Sequence, residues 1–217
     1  MPELHLIPLF PLPVVVCPTE PLPLHIFEER YKQMIADCRK ELLGDRPLPF
    51  GVSLAYNNKL YTIGCSVEIT EVVSEYPDGQ LDIITTGLTR YKMIETYRDR
   101  AYMRAQVEYF QDDDHQVDIL QRERAITLHM KFRELIQGET FVEEYEETDS
   151  VSFRIAHSSG FDVLQKQKLL EMRSETERLL FIISYFEKAI PEIERSEEIK
   201  RRVRSNGHFK NFDSPNF

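Results

Sequence analysis

The stretch Pro21-Leu22-Pro23-Leu24-His25-Ile26-Phe27-Glu28-Glu29-Arg30-Tyr31-Lys32-Gln33-Met34-Ile35 passes from one backbone period to another within a few residues. Up to Leu24 it belongs to a segment that holds Pro2, Pro8, Pro11, Pro13, Pro18, Pro21 and Pro23, with β-branched Val14, Val15 and Val16 among them. Proline lacks the amide proton that a helix interior or a central strand uses, so residues 2–24 read as short extended pieces along a sheet edge or a barrel seam. From Phe27 the apolar residues Phe27, Tyr31, Met34, Ile35, Cys38 and Leu42 recur at helical spacing, and Gly44 and Pro47 end the pattern. This spacing predicts a helix over 27–43.

Beyond it the period turns to two. Residues 50–56 and 62–75 are rich in Val, Ile, Thr and Tyr, and Pro77-Asp78-Gly79 is a turn signal before a further strand over 81–86. Gly87 is expected to break that strand, Arg90 to Thr96 to resume it, and residues 102–110 to form another. The N-terminal half is thus a mostly antiparallel sheet, curled into a barrel, with one helix packed on it. Asp112-Asp113-Asp114-His115 marks a boundary, because an acidic run cannot bury itself and suits the capping of a helix after it. Two subdomains are expected, a β-rich one over 1–111 and a helical one over 112–217. In the second, Ala125, Leu128, Phe132, Leu135 and Ile136 share one face that Gly138 ends, and residues 139–149 read as an exposed acidic loop. Ser174-Glu175-Thr176-Glu177 has capping-box spacing. It opens a helix that buries Leu179, Ile183, Phe186 and Ile190. Pro191 suits a kink or a new first turn, and the last helix is expected to run to about Arg204.

Bulk properties narrow the function. No run approaches the roughly 18 apolar residues of a membrane span. The N-terminus has no basic region before its apolar run, which prolines interrupt, so export is not indicated and the cytoplasm is the expected compartment. Cys17, Cys38 and Cys65 are odd in number and far apart, which suits reduced, packed thiols rather than a disulfide frame or a zinc site. The net charge of -10 opposes binding to phosphate backbones. Lys200, Arg201, Arg202, Arg204 and Lys210 against Asp213 make a basic tail, read first as a solvated helix end.

Three blocks of residues, in order, carry a resemblance. They are Pro8-Leu9-Phe10-Pro11-Leu12 with Pro18, Leu22-Pro23-Leu24, Ile26-Phe27-Glu28, Arg30-Tyr31 and Met34; then Ile63-Gly64-Cys65, Ile69, Asp78-Gly79, Gly87-Leu88 and Arg90-Tyr91; then Lys166-Gln167-Lys168-Leu169-Leu170-Glu171 and Glu177-Arg178-Leu179. Together they resemble the N-terminal domain of Lon proteases. The resemblance implies a PUA-like β-barrel followed by a helical bundle, and a role in holding unfolded or tagged client polypeptides. It admits a separate Lon-type protease as a further partner. No glycine is followed by lysine, so the phosphate-cradling G-x-x-x-x-G-K-[ST] loop is not in this sequence. The expectation is a stand-alone, non-catalytic adaptor that needs no cofactor, metal or nucleotide.

The contact candidates for a polypeptide are Leu22, Glu28, Glu29 and Arg30, where prolines leave a sheet edge that an extended chain could join. The plain alternative is that Leu24, Ile26 and Phe27 fill the core and the charges keep the surface solvated. Two other functions are weighed. A PUA-like RNA binder would stack bases on Arg90 and Tyr91 and use the basic tail. A hydrolase would use Ser158, within Ala156-His157-Ser158-Ser159-Gly160, or Cys38, but that serine lies among helices and Cys38 falls on an apolar stripe. The histidines His5, His25, His115, His129 and His208 show no metal spacing, and Asp112 to Asp114 lack the spaced loop of a calcium site.

Overall fold

The computed structural model describes residues 3–40, 42–43, 46–113, 117–138, 145 and 150–207. Its elements in chain order are β1 (Leu4–Leu12), β2 (Pro21–Ile26), α1 (Glu29–Lys40), the short pair β3 (Leu42–Leu43) and β4 (Arg46–Pro47), β5 (Phe50–Tyr56), β6 (Lys59–Glu75), β7 (Leu81–Tyr97), β8 (Met103–Tyr109), α2 (Ile119–Gln137), α3 (Val151–Ala156), α4 (Val163–Glu171) and α5 (Glu175–Gly207). Six strands form one mixed sheet in the order β2-β7-β6-β5-β1-β8. Only β1 and β5 run parallel among these pairs; the rest are antiparallel. The strand β8 also pairs with β7, so the pairings among β7, β6, β5, β1 and β8 run round in a ring, and β2 is left on an outer edge.

The prolines divide between these places. Pro21 and Pro23 lie on the edge strand β2, as read from the sequence. Pro8 and Pro11 lie at the seam where β1 passes from one neighbour to the other: Pro8 pairs with Arg104 of β8 alone and Pro11 with Ser53 of β5 alone, and Leu9 pairs with both. The first helix is shorter than its apolar spacing predicts. The Glu28 carbonyl accepts from the amides of Tyr31 and Lys32, both at 2.9 Å, which starts the helix after Phe27. Phe27 therefore leaves the apolar face and stands 58% exposed, whereas Tyr31, Met34, Ile35 and Cys38 are buried as expected.

The hairpin over Asp78-Gly79 joins β6 and β7, with Gly79 at φ +80°, a conformation that suits a residue without Cβ. Gly87 does not break β7, which continues through it to Tyr97. It permits close approach instead: a Cβ there would lie 2.1 Å from the Cys17 carbonyl oxygen. The loop before β2 thereby rests on the strand, with Thr19 N–H donating to the Gly87 carbonyl at 2.8 Å and Gly87 N–H to that of Glu20 at 2.9 Å.

In the second half Asp118, not the Asp112 run, caps α2, accepting from the amides of Leu120 (2.9 Å) and Gln121 (3.3 Å). On α2 Ala125 and Phe132 are buried, Leu128 and Leu135 are half-buried, and Ile136 is exposed. Asp114, His115 and the acidic loop of residues 139–149 lie outside the described residues, apart from Tyr145, which is buried. Ser174 makes one half of its expected box, accepting from the Glu177 amide at 3.4 Å. The reciprocal pair occurs at Asp162 and Gln165 on α4. Helix α5 buries Leu179, Ile183, Phe186 and Ile190, runs through Pro191 without a new first turn, and reaches Gly207.

One apolar cluster extends from Phe10, Phe50 and Ile83 on the strands to Leu169, Leu179 and Phe186 on the helices. A polar joint crosses it. Arg90 of β7 donates to the carbonyls of Leu170 (3.2 Å) and Met172 and to Asp112. Arg178 of α5 donates to Ser152 Oγ (2.7 Å), to both Asp112 oxygens and to Glu175 (2.7 Å). Glu175 in turn accepts from Ser150 and Ser152 hydroxyls, each at 2.6 Å. Both guanidiniums lie against the Phe153 ring. Burial pushes the Asp112 carboxyl up, but Arg178 and Arg90 outweigh it and hold it below the usual carboxylate range.

Two stability outcomes are expected from these contacts. Gly87→Ala is expected to cost about 3 kcal/mol, read as a lower denaturation midpoint, because a backbone carbonyl must retreat. Arg178→Met is expected to cost roughly 3–5 kcal/mol in the same measurement, since it leaves the buried Glu175 carboxylate without its cation and Asp112 with Arg90 alone.

Candidate functional site

Helix α1 buries one face on the strands and turns another, with Glu29, Lys32, Ala36 and Arg39, toward the end of the β6–β7 hairpin. Between them lies an open groove of about 480 Å³, with Arg30, Glu75, Asp78 and Leu81 along its walls and the small residues Ala36, Gly79 and Ala101 keeping it wide. Its charges are mutually engaged. Lys32 Nζ lies 2.8 Å from Glu29 and donates to the Asp78 carbonyl at 2.9 Å, and Arg39 lies 3.5 Å from Glu75. The exposed Arg39–Glu75 pair contributes little to stability and can be exchanged for contacts to a bound chain at small cost, whereas the Lys32 side chain is only 16% exposed.

Of the sequence candidates, Glu29 and Arg30 line this groove and are exposed. Glu28 does not line it but pairs with Arg30 at 2.7 Å. Leu22 is elsewhere, half-buried in β2 opposite Thr85, whose hydroxyl donates to the Leu22 carbonyl at 2.9 Å. Its backbone faces the sheet and not the open edge. Lys32, Arg39 and Glu75 are not site candidates in the sequence, and Asp78 is marked there only as a turn residue. Glu29, Lys32 and Arg39, at helical spacing off the buried face of α1, are the sequence signal for the helix side of the groove, but the hairpin side is brought there only by the fold.

The open edge of β2 differs from the expectation in a specific way. Gly87 turns its N–H and C=O toward the β2 side, so by the two-residue period Thr85 and Ile83 do the same, opposite Leu22 and Leu24. Pro21, Pro23 and His25 then present their backbone groups outward. Two of those three nitrogens are proline, and the edge offers carbonyl acceptors with a single N–H. It is a poor template for an added strand.

The catalytic readings meet the geometry poorly. Ser158 Oγ lies 3.1 Å from His129 Nε2, and His129 Nδ1 lies 2.8 Å from the Tyr145 hydroxyl. His129 is fully buried and stacked on Phe186, so it has no room to hand a proton to a substrate's leaving group. Cys38 is buried on α1. Burial also pushes the Cys17 thiol up to about 12 and raises that of Cys65, which keeps both as packed thiols. Arg90 (4% exposed) and Tyr91 (0%) are interior and unable to stack a base. In the basic tail Lys200 pairs with Glu197 at 2.7 Å and Arg202 with Glu198; His208, Lys210 and Asp213 lie outside the described residues. Among the described residues no group of three His, Cys, Asp or Glu is placed to hold a metal, and no helix is long and apolar enough to cross a membrane.

A mixed sheet whose pairings return on themselves, joined by buried arginines to a set of helices and open to solvent through a groove, defines the class as an α+β domain with a surface site. The profile of the ATP-dependent protease La (LON) substrate-binding domain matches residues 6–188. The chain belongs to that family. Lon protease of Escherichia coli is 25% identical over 217 aligned residues, which cover 91% of this chain and 26% of that protein. Lon protease of Dictyoglomus thermophilum is 26% identical, covering 93% and 26%. The chain spans about a quarter of the length of these curated relatives. Among solved structures, a Lon N-terminal domain protein from Xanthomonas campestris has a TM-score of 0.64 at 23% identity, covering 83% of this chain and 98% of that one. The N-terminal domain of a Mycobacterium avium complex Lon protease has a TM-score of 0.61 at 14% identity, covering 84% and 98%. At these identities the likeness is one of fold.

His157, next to Ser158, has a buried Nε2 atom with no hydrogen-bond partner among the described residues. Burial pushes its pKa below the ordinary 6.5, with Glu20, Lys166 and Arg154 nearby. Below pH 6.5 the unfolded chain takes up a proton that the folded one refuses, so this contribution to stability is complete above pH 6.5 and is lost as the pH falls. Urea unfolding at pH 5.5 and 7.5 is expected to show a lower midpoint at 5.5, and a smaller difference in His157→Gln.

Proposed function

We propose that the chain is a non-catalytic polypeptide-binding module that acts as an adaptor, holding a segment of an unfolded client in the groove between α1 and the β6–β7 hairpin. The observation that carries this reading is the groove itself, in a domain of a substrate-binding family, with Glu29 and Arg30 at its wall. Its paired charges and small side chains suit backbone and polar contacts along an extended chain rather than one deep pocket for a small molecule.

In this reading residues 1–111 form a PUA-like barrel that carries the groove, and residues 112–217 a helical part that braces it. Clients would be met in the cytoplasm, and a Lon-type protease would be the natural recipient. The wall residues hold no group poised for bond cleavage, which fits capture and transfer in place of turnover.

The test is fluorescence anisotropy of labelled, chemically unfolded polypeptides. The double substitution Glu29→Ala with Arg30→Ala is expected to weaken binding roughly tenfold, with far-UV circular dichroism unchanged. A wild-type protein with no affinity for any of a panel of unfolded polypeptides would overturn the proposal.

A further inference from the structure

Just beyond the groove, on the exposed side of β2, three rings meet one carboxylate. His25 and Phe27 stack with centroids 5.8 Å apart and planes at 23°, and Tyr76 stands edge-on to His25 at 6.3 Å and 79°. The carboxylate is Asp82, directly across the ladder from His25. His25 Nδ1 lies 2.7 Å from one of its oxygens, and the Tyr76 hydroxyl donates to the other at 2.7 Å. These two hydrogen bonds hold the Asp82 carboxyl below its ordinary range, so it is anionic at neutral pH.

The cluster is organised and yet open. Phe27 is 58% exposed and Tyr76 43%, although an aromatic ring gains most by burial. Beside it runs the β2 edge, whose outward backbone supplies the carbonyls of Pro21, Pro23 and His25 with one N–H among them. Aromatic faces, an anion and a row of acceptors short of donors describe the complement of a planar cation rich in N–H groups. A strand would need donors that the prolines have removed, and an anionic ligand would meet Asp82. An ammonium would satisfy the charge, but only the guanidinium of arginine combines a flat face for stacking with five donors in a fixed fork.

We propose that the corner formed by His25, Phe27, Tyr76 and Asp82 captures an arginine side chain of the bound polypeptide, with the β2 carbonyls accepting the remaining N–H groups. The proposal rests on the polypeptide-binding reading and names the chemistry that the site selects: extended clients with arginine placed to reach past the groove. Cation–π contact and a charge-assisted hydrogen bond together set the scale of the effect.

The probe is a short, labelled, extended peptide with a single arginine, compared by anisotropy with the same peptide carrying lysine, citrulline or glutamine at that position. The expected order is arginine tightest, lysine weaker, and citrulline and glutamine weaker by roughly tenfold. Phe27→Ala and Asp82→Asn, both at the surface, are expected to bring the arginine peptide down to the level of the glutamine peptide, while circular dichroism and the thermal midpoint stay near wild type. Equal affinity for the arginine and glutamine peptides, or arginine selectivity that survives both substitutions, would overturn the inference. If binding persists in that case and still falls in the Glu29→Ala/Arg30→Ala protein, the groove stands and only the corner is lost; if no peptide or unfolded chain binds wild type, the proposed function falls as well.

Discussion

Two guanidiniums buried around one aspartate organise this molecule. Arg90 comes from the middle of β7 and Arg178 from the first turn of α5, and Asp112, on the short link after the strands, receives both. A buried charge is costly unless every donor finds an acceptor, and here the surplus donors reach the carbonyls at the end of α4 and the Ser152 hydroxyl. The geometry therefore ties β7, the link, α3, α4 and α5 to a single arrangement. Phe153 offers its ring to both guanidiniums, a cation–π contact for each. The apolar cluster supplies most of the burial; the arginines decide which surfaces meet.

Local chemistry makes much of this readable from sequence. Asp78-Gly79 specifies its hairpin, the Tyr31, Met34, Ile35 and Cys38 stripe specifies the buried face of α1, and Gly138 closes α2 as expected. Readings fail where a neighbour distant in sequence decides the outcome. Gly87 reads as a break because its role, contact with the Cys17 carbonyl, depends on a loop some seventy residues earlier in the chain. Phe27 fits the helical stripe, but the chain enters the helix only after it and leaves its ring outside. The acidic run at Asp112 has the composition of a cap and is instead the anchor of the arginine joint, which no periodicity reports. Arg90 and Tyr91, polar in the sequence, are interior because the fold supplies partners for both.

The site is partly legible. Charges flanking an apolar stripe can only point outward, and this places Glu29 and Arg30 correctly on an accessible surface. The other wall comes from a hairpin end nearly fifty residues away in sequence, so Asp78 carries no local mark of its role. The prolines read as leaving an edge open, which they do, but pairing shows that they also strip it of donors. One residue type thus solves two problems in β2: it tolerates the end of a sheet and prevents another copy from extending it.

Helix α5 has 33 residues, about 50 Å at the usual rise, and from Glu194 to Val203 its side chains are exposed. Pairs such as Glu197 with Lys200 and Glu198 with Arg202 add local support to those turns, and Glu194 pairs with Lys131 of α2 at 2.8 Å. Its opposite end carries Glu175 and Arg178. Between the two ends, Glu187 and Glu194 pair with Arg124 and Lys131 of α2, so a sideways load on the far turns would pass into α2 before it reached the buried arginines.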